Sequence, residues 1–101
     1  MEQEPYTLGR WLVEPGREDA FIAVWKELGA FFLALPHPPG PGTLVRSVAE
    51  PNVFYSFGPW KSLSDIQAMR ADPRTPAMIG KLTDLCTEAT PGAYLVVATV
   101  P

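Results

Sequence analysis

Residues 53–60 read Val-Phe-Tyr-Ser-Phe-Gly-Pro-Trp, and neither side of this stretch is built for water. A half-buried strand alternates, apolar on one face and polar on the other. Here Val53, Tyr55 and Phe57 share one side, and Phe54, Ser56, Gly58 and Trp60 share the other. The run from Tyr94 to Val100 is also apolar on both sides. Strands of this kind are normally covered on both faces. Any fold for this chain must therefore shelter two sides of one sheet.

With 101 residues the chain suits a single domain, 1–101. A domain this short buries roughly 60–65% of its unfolded surface, so its core is thin. Only 19% of residues are charged, which is low for so much surface and points to some of it being covered, by a second copy. The net charge is -3, and its eight Lys and Arg are scattered singly. That excludes the basic patch of a nucleic-acid binder. The segment MEQEPYTLGR lacks the apolar core of a leader, and no run approaches 18 apolar residues. No membrane partner and a cytoplasmic location are expected.

Tyr6 to Val13 reads as a first strand, ended by the turn signal Glu14-Pro15-Gly16. Glu18 and Asp19 then suit the positive end of a helix. Phe21, Val24, Trp25, Leu28, Phe31, Phe32 and Leu35 recur at spacings of three and four, giving a helix of about five turns with one broad apolar stripe. Pro36 stops it, and the segment to Gly42 is a Pro/Gly loop, either a gate or a plain connector. Thr43 to Glu50 reads as a second strand, joined to the third through a tight Pro51-Asn52 hairpin. Ser62 and Ser64 are candidate N-caps for a short helix with Leu63, Ile66 and Met69. After Asp72-Pro73, Thr75 caps another helix with Pro76 at its first position; Met78, Ile79, Leu82, Leu85 and Cys86 form its stripe. Pro91-Gly92 ends it, and Ala93 to Val100 is the last strand.

This order predicts an α+β, ferredoxin-like split βαβ domain, with a four-stranded antiparallel sheet and its helices on one face. No helix is left for the other face, so two sheets are expected to face each other in a homodimer and enclose a cavity. The row Phe54, Ser56, Gly58, Trp60 is the candidate cavity wall, because its two small residues leave room between two aromatics. Arg46, in mid-strand among apolar residues, either faces the interior, where it needs an anionic or carbonyl partner, or lies at a rim with its head in water. Cys86, the lone cysteine, forms no internal disulfide and reads as a small core residue. His37, the lone histidine, sits in the Pro/Gly loop; with one Cys it cannot build a soft-ligand metal site, so no metal is expected.

The segments W-L-V-E-P-G-R-E-D-A-F-I-A-V-W, L-V-R-S-V-A-E-P-N-V-F-Y-S-F-G-P-W-K-S and A-D-P-R-T-P, with the closing apolar strand, resemble the antibiotic biosynthesis monooxygenase domain. The resemblance runs from Gly9 to Val100 and implies a ferredoxin-like domain paired into a dimeric α+β barrel. Some members oxidise polycyclic phenols to quinones with molecular oxygen and no cofactor; others degrade haem. The quinone-forming members resemble this chain at Trp60. Four residues earlier they carry Asn, where this chain has Ser56, and Arg46 stands where a polar cavity residue is expected. The Tyr and Arg implied on the following helices fall at Ile66 and Ile79. The haem-degrading members place a His ligand after the third-strand Trp, and residues 61–88 contain none.

On this resemblance the catalytic candidates are Trp60, Arg46 and Ser56. Trp60 and Phe54 would stack on a phenol ring, Arg46 would stabilise its oxyanion and Ser56 would position it. Phe54, Tyr55 and Trp11 are the substrate-binding candidates, and Trp25 reads as helix core. No cofactor is implied. The partner is an apolar or aromatic small molecule. Two functions fit these residues: a cofactor-free monooxygenase of phenolic aromatics, or a non-enzymatic dimeric binding or accessory protein of the same fold.

Overall fold

The computed structural model describes residues 3–101. Met1 and Glu2, which open the segment considered as a leader, lie outside the described residues. The elements are β1 (Pro5–Val13), α1 (Glu18–Leu33), β2 (Thr43–Arg46), β3 (Val53–Pro59), α2 (Leu63–Ala71), α3 (Thr75–Thr83) and β4 (Cys86–Leu95). The sheet order is β2-β3-β1-β4, every neighbouring pair antiparallel. This is the predicted ferredoxin-like split βαβ, and among the described residues no helix is long and apolar enough to cross a membrane.

Alternation along β1 and β3 sorts the side chains. Thr7, Gly9, Trp11 and Val13 share one face with Phe54, Ser56 and Gly58. Phe21 of α1 packs on that face, 5.7 Å from Trp11 and 5.2 Å from Phe54 between ring centroids, so it is the helical face. Two buried clusters form there. One holds Trp11, Val13, Phe21, Leu28, Phe54, Leu82 and Leu85. The other holds Leu35, Trp60, Ile66 and Met69. Phe31 and Phe32 of α1 touch both.

Four boundaries differ from expectation. β2 ends at Arg46, and residues 47–52 form a folded turn in place of a tight Pro51-Asn52 hairpin. Ser47 explains it: its Oγ accepts from the Glu50 amide at 3.0 Å, so the turn closes on a side chain. β4 starts at Cys86, seven residues before Ala93, and Pro91-Gly92 lies inside it. Pro91 is tolerated because β4 is an edge strand, paired only with β1. Cys86 therefore opens a strand and is not on a helix; its thiol donates to the Leu82 carbonyl at 3.3 Å, and burial pushes its pKa up. Beyond Leu95 the chain leaves the sheet after one last bond, from the Val96 amide to the Glu4 carbonyl, so Val96–Val100 are not strand. Thr75 is the first helical residue and not the cap; its hydroxyl donates to the Met69 carbonyl at 2.6 Å.

The turn between α2 and α3 is held by Asp72. Its carboxylate accepts from the Arg74 amide at 2.9 Å and from the Arg74 guanidinium at 3.0 and 2.8 Å. Arg74 also lies 5.0 Å over the Phe31 ring, tying the turn to α1. The Arg74 hydrogen bonds hold the Asp72 carboxyl at about 2, below its ordinary 3.8. A depressed carboxyl contributes stability that is complete above its unfolded pKa and lost as pH falls through its folded one. Between pH 4 and pH 2 the urea midpoint of the wild type should therefore fall further than that of Asp72→Asn; parallel curves would show that this pair adds nothing.

Candidate functional site

Between the two buried clusters lies a cavity of about 710 Å³, large for so thin a core and in the range of small-molecule sites. Trp11 and Leu28 line it from one cluster, Trp60 and Met69 from the other, with Trp25 and Phe32 of α1 between them. It sits between the sheet and the helices. The expectation of a hollow between two facing sheets therefore does not describe where this cavity lies. The wall residues Ser56, Gly58 and Trp60 do line it.

Two hydrogen bonds cross between β1 and β3 at the cavity's floor. The Trp11 indole donates to Ser56 Oγ at 2.9 Å, and the Trp60 indole donates to Thr7 Oγ1 at 3.0 Å. β1 supplies Trp11 and Thr7, β3 supplies Ser56, and Trp60 follows β3 directly. Trp11 reaches Ser56 by lying back over Gly9, which is paired with Ser56 in the ladder. A Cβ on Gly9 would stand 2.7 Å from the Trp11 ring, so only glycine lets the indole take this path. Thr7 and Ser56 are diagonal neighbours, with side chains roughly 7 Å apart. Each hydroxyl accepts one indole N–H and keeps its own hydrogen for another acceptor.

The loop residues Pro39 to Gly42 form another wall. The Gly40 amide bonds to the Pro59 carbonyl at 2.9 Å. A Cβ on Gly58 would lie 3.2 Å from Gly42 Cα, so bare backbone on both sides lets the loop sit against β3. On α1, Gly29 lines the cavity with nothing within 4 Å of where its Cβ would be. Glycine in mid-helix costs about 0.5–1 kcal/mol relative to alanine. Here the space it leaves belongs to the cavity.

The remaining predicted site residues fall elsewhere. Arg46 is on the helical face but at the sheet edge, exposed, with its guanidinium 4.7 Å over the Phe54 ring. Of its two expected placements, the rim is the one found. Phe54 is buried against Phe21 and does not line the cavity. Tyr55 points to the opposite face, where its hydroxyl accepts from Arg10 Nε at 3.2 Å. Ile66 is buried in the second cluster and Ile79 lines the cavity. Trp25, expected as plain core, is a cavity wall. Thr7 was missed altogether, although its spacing from Gly9 and Trp11 put it on their face. Among the described residues no group of His, Cys, Asp and Glu could hold a metal ion.

The architecture is thus a ferredoxin-like domain with an aromatic-walled cavity under its sheet. Its fold is that of solved oxygenase structures. A single-site mutant of SnoaB, a cofactor-independent oxygenase from Streptomyces nogalater, superposes with a TM-score of 0.86 over 99% of each chain at 23% identity. A Bordetella bronchiseptica protein described provisionally as an antibiotic biosynthesis monooxygenase gives 0.80 over 98% of this chain and all of that one, at 17% identity. A similarly described Nitrosomonas europaea protein gives 0.79, covering 96% and 94%, at 14% identity. At these identities the likeness establishes the fold. No family model matches the chain, and no curated protein matches it.

The crossed bonds make a direct prediction. Ser56→Ala leaves the buried Trp11 N–H unpaired and should cost about 1–3 kcal/mol by chemical denaturation. In a Trp11→Phe background the same change should cost less than half as much. Equal costs in both backgrounds would mean that the bond carries no stability.

Proposed function

We propose that the chain is a cofactor-independent monooxygenase of the antibiotic biosynthesis type, acting on a phenolic, polycyclic aromatic molecule held in this cavity. The observation that carries the reading is the cavity itself: about 710 Å³, three tryptophans in its wall and two hydroxyls on its floor. The fold it shares with SnoaB, named a cofactor-independent oxygenase, supports it. A phenolate can pass an electron to molecular oxygen. Recombination and loss of water then leave a carbonyl where the ring carried hydrogen, so each quinone formed consumes one O₂ and releases one H₂O. The protein's part is to hold the ring against Trp11 and Trp60 and to exclude water. Ser56 and Thr7 have hydroxyl hydrogens left to donate to oxygens of the bound phenolate. On this placement Thr7 takes the part that the sequence suggested for Arg46.

A second reading is a non-enzymatic binder of such molecules. It is favoured by one observation: among the described residues no Asp, Glu, His or Tyr lines the cavity to receive the phenol's proton. Oxygen uptake and quinone absorbance with anthrone- and naphthol-type phenols separate the two. The enzyme should consume one O₂ per quinone, and Trp60→Phe and Ser56→Ala should each lower kcat at least about tenfold. Tight binding of these phenols with no oxygen uptake would leave only the binder.

The other side of the sheet supports a homodimer. Tyr55 and Phe57 of β3 and Tyr94 of β4 are exposed there, beside the half-buried Tyr6, Leu8 and Leu12 of β1. A second copy laid on this face would cover it, with the Arg10–Glu88 pair near its centre. Sedimentation should give twice the 11.1 kDa chain mass, and Phe57→Glu should return the monomer. A wild type that sediments as a monomer at micromolar concentration would exclude the pairing.

A further inference from the structure

We propose that Gly29 is a specificity-determining residue of the cavity: the bare helix at this position sets how broad a flat ring system the site admits. The inference rests on the cavity being the ligand site and goes beyond that reading by naming the residue that limits ligand size. Gly29 is the one glycine of α1. Glycine weakens a helix interior relative to alanine, so its presence there needs a local reason.

The usual reasons do not apply. Among the described residues only Gly16 has a positive φ, so Gly29 is not there for a left-handed backbone. The helix continues past it to Leu33, so it is no helix end. Nor does another element pack closely on it: nothing lies within 4 Å of where its Cβ would stand. What remains is the space itself, and Gly29 lines the cavity.

Helix geometry gives that space its shape. Trp25 stands four residues before Gly29 and Phe32 three after, so the three share one side of α1, and all three line the cavity. Their rise along the axis puts the Trp25 and Phe32 backbones roughly 10 Å apart, with Gly29 between them. Each aromatic neighbour is engaged elsewhere. Phe32 meets Trp60 edge-on, with ring centroids 5.5 Å apart. Trp25 lies along the Pro/Gly loop, its ring 3.6 Å from where a Cβ on Gly42 would stand. A side chain at position 29 would therefore stand in the gap between two aromatic walls, where a broad ring system can otherwise lie against bare backbone.

The test is a fluorescence titration under nitrogen with 2-naphthol and 2-anthrol, which differ by one fused ring. Gly80 supplies the control: it too lies inside a helix, α3, with nothing within 4 Å of its Cβ position, but it does not line the cavity. In Gly29→Leu the affinity for 2-anthrol should fall at least about tenfold and that for 2-naphthol less than about threefold. Gly80→Leu should leave both affinities unchanged. Gly29→Ala, which adds only a methyl group, should raise the urea midpoint through helix propensity and weaken 2-anthrol by a smaller factor. Urea melts check that every variant remains folded. Undiminished 2-anthrol binding in folded Gly29→Leu, an equal loss of both probes there, or the same loss in Gly80→Leu overturns the assignment while leaving the aromatic site standing. The expected discrimination without oxygen uptake from any phenol would sink the oxidation and keep the role of Gly29. A wild type that binds neither probe would remove the cavity as an aromatic site and the role of Gly29 with it.

Discussion

The structure turns on two indole N–H groups that must be satisfied inside a small protein. Tryptophan brings the largest apolar surface of any side chain together with one donor that burial makes costly if unpaired. This chain solves the problem twice, with a hydroxyl on the neighbouring strand each time: Ser56 for Trp11 and Thr7 for Trp60. Both bonds run between β1 and β3, the central pair of the sheet, so they fix its register as well as its indoles. Glycine at position 9 is part of the same arrangement, because the Trp11 ring occupies the space a side chain would need.

Placing two large rings on the helical face of the sheet has a consequence for the core. Trp11 belongs to one cluster and Trp60 to the other, and the helical side chains that bridge them, Phe31 and Phe32, do not fill the gap. A domain of this size has little hydrophobic surplus from which to support a void. The void is kept by its frame. The Asp72–Arg74–Phe31 contacts hold the α2–α3 turn against α1, and the Pro/Gly loop lies bonded along the end of β3. Contacts of this kind oppose the collapse of a void in a small protein.

Much of the fold was legible because periodicity states it: the 16-residue helix, the three-residue and four-residue spacings, and the two-sided strand at 53–60. What escaped the sequence was decided by single polar contacts. Ser47 capped a turn that a Pro-Asn pair seemed to define, and an edge position made Pro91 compatible with a strand that its presence argued against. At the site, alternation placed Ser56, Gly58 and Trp60 together, but it carries no information on which face holds the hollow. Nor does it tell that Phe54, two residues from Ser56, would be covered by Phe21, or that Arg46 would settle on the outer side of Phe54. Those outcomes depend on where α1 crosses the sheet, which no local pattern encodes.

Among the described residues no carboxylate or imidazole lines the cavity, which limits the chemistry it can perform. A general base near neutral pH contributes by taking a proton as charge moves, and the lining offers no such group. What remains on the proposed reading is electrostatic: the hydroxyl hydrogens of Thr7 and Ser56 on the floor, which favour a ligand in its anionic form. A molecule whose own acidity already lies near neutrality needs no more than this to be held as the anion. On the proposed reading, the work left to the protein is to orient the electron-rich ring and keep water away from it. That division of labour suits a site built from tryptophan and small residues, since both jobs depend on shape more than on titratable groups.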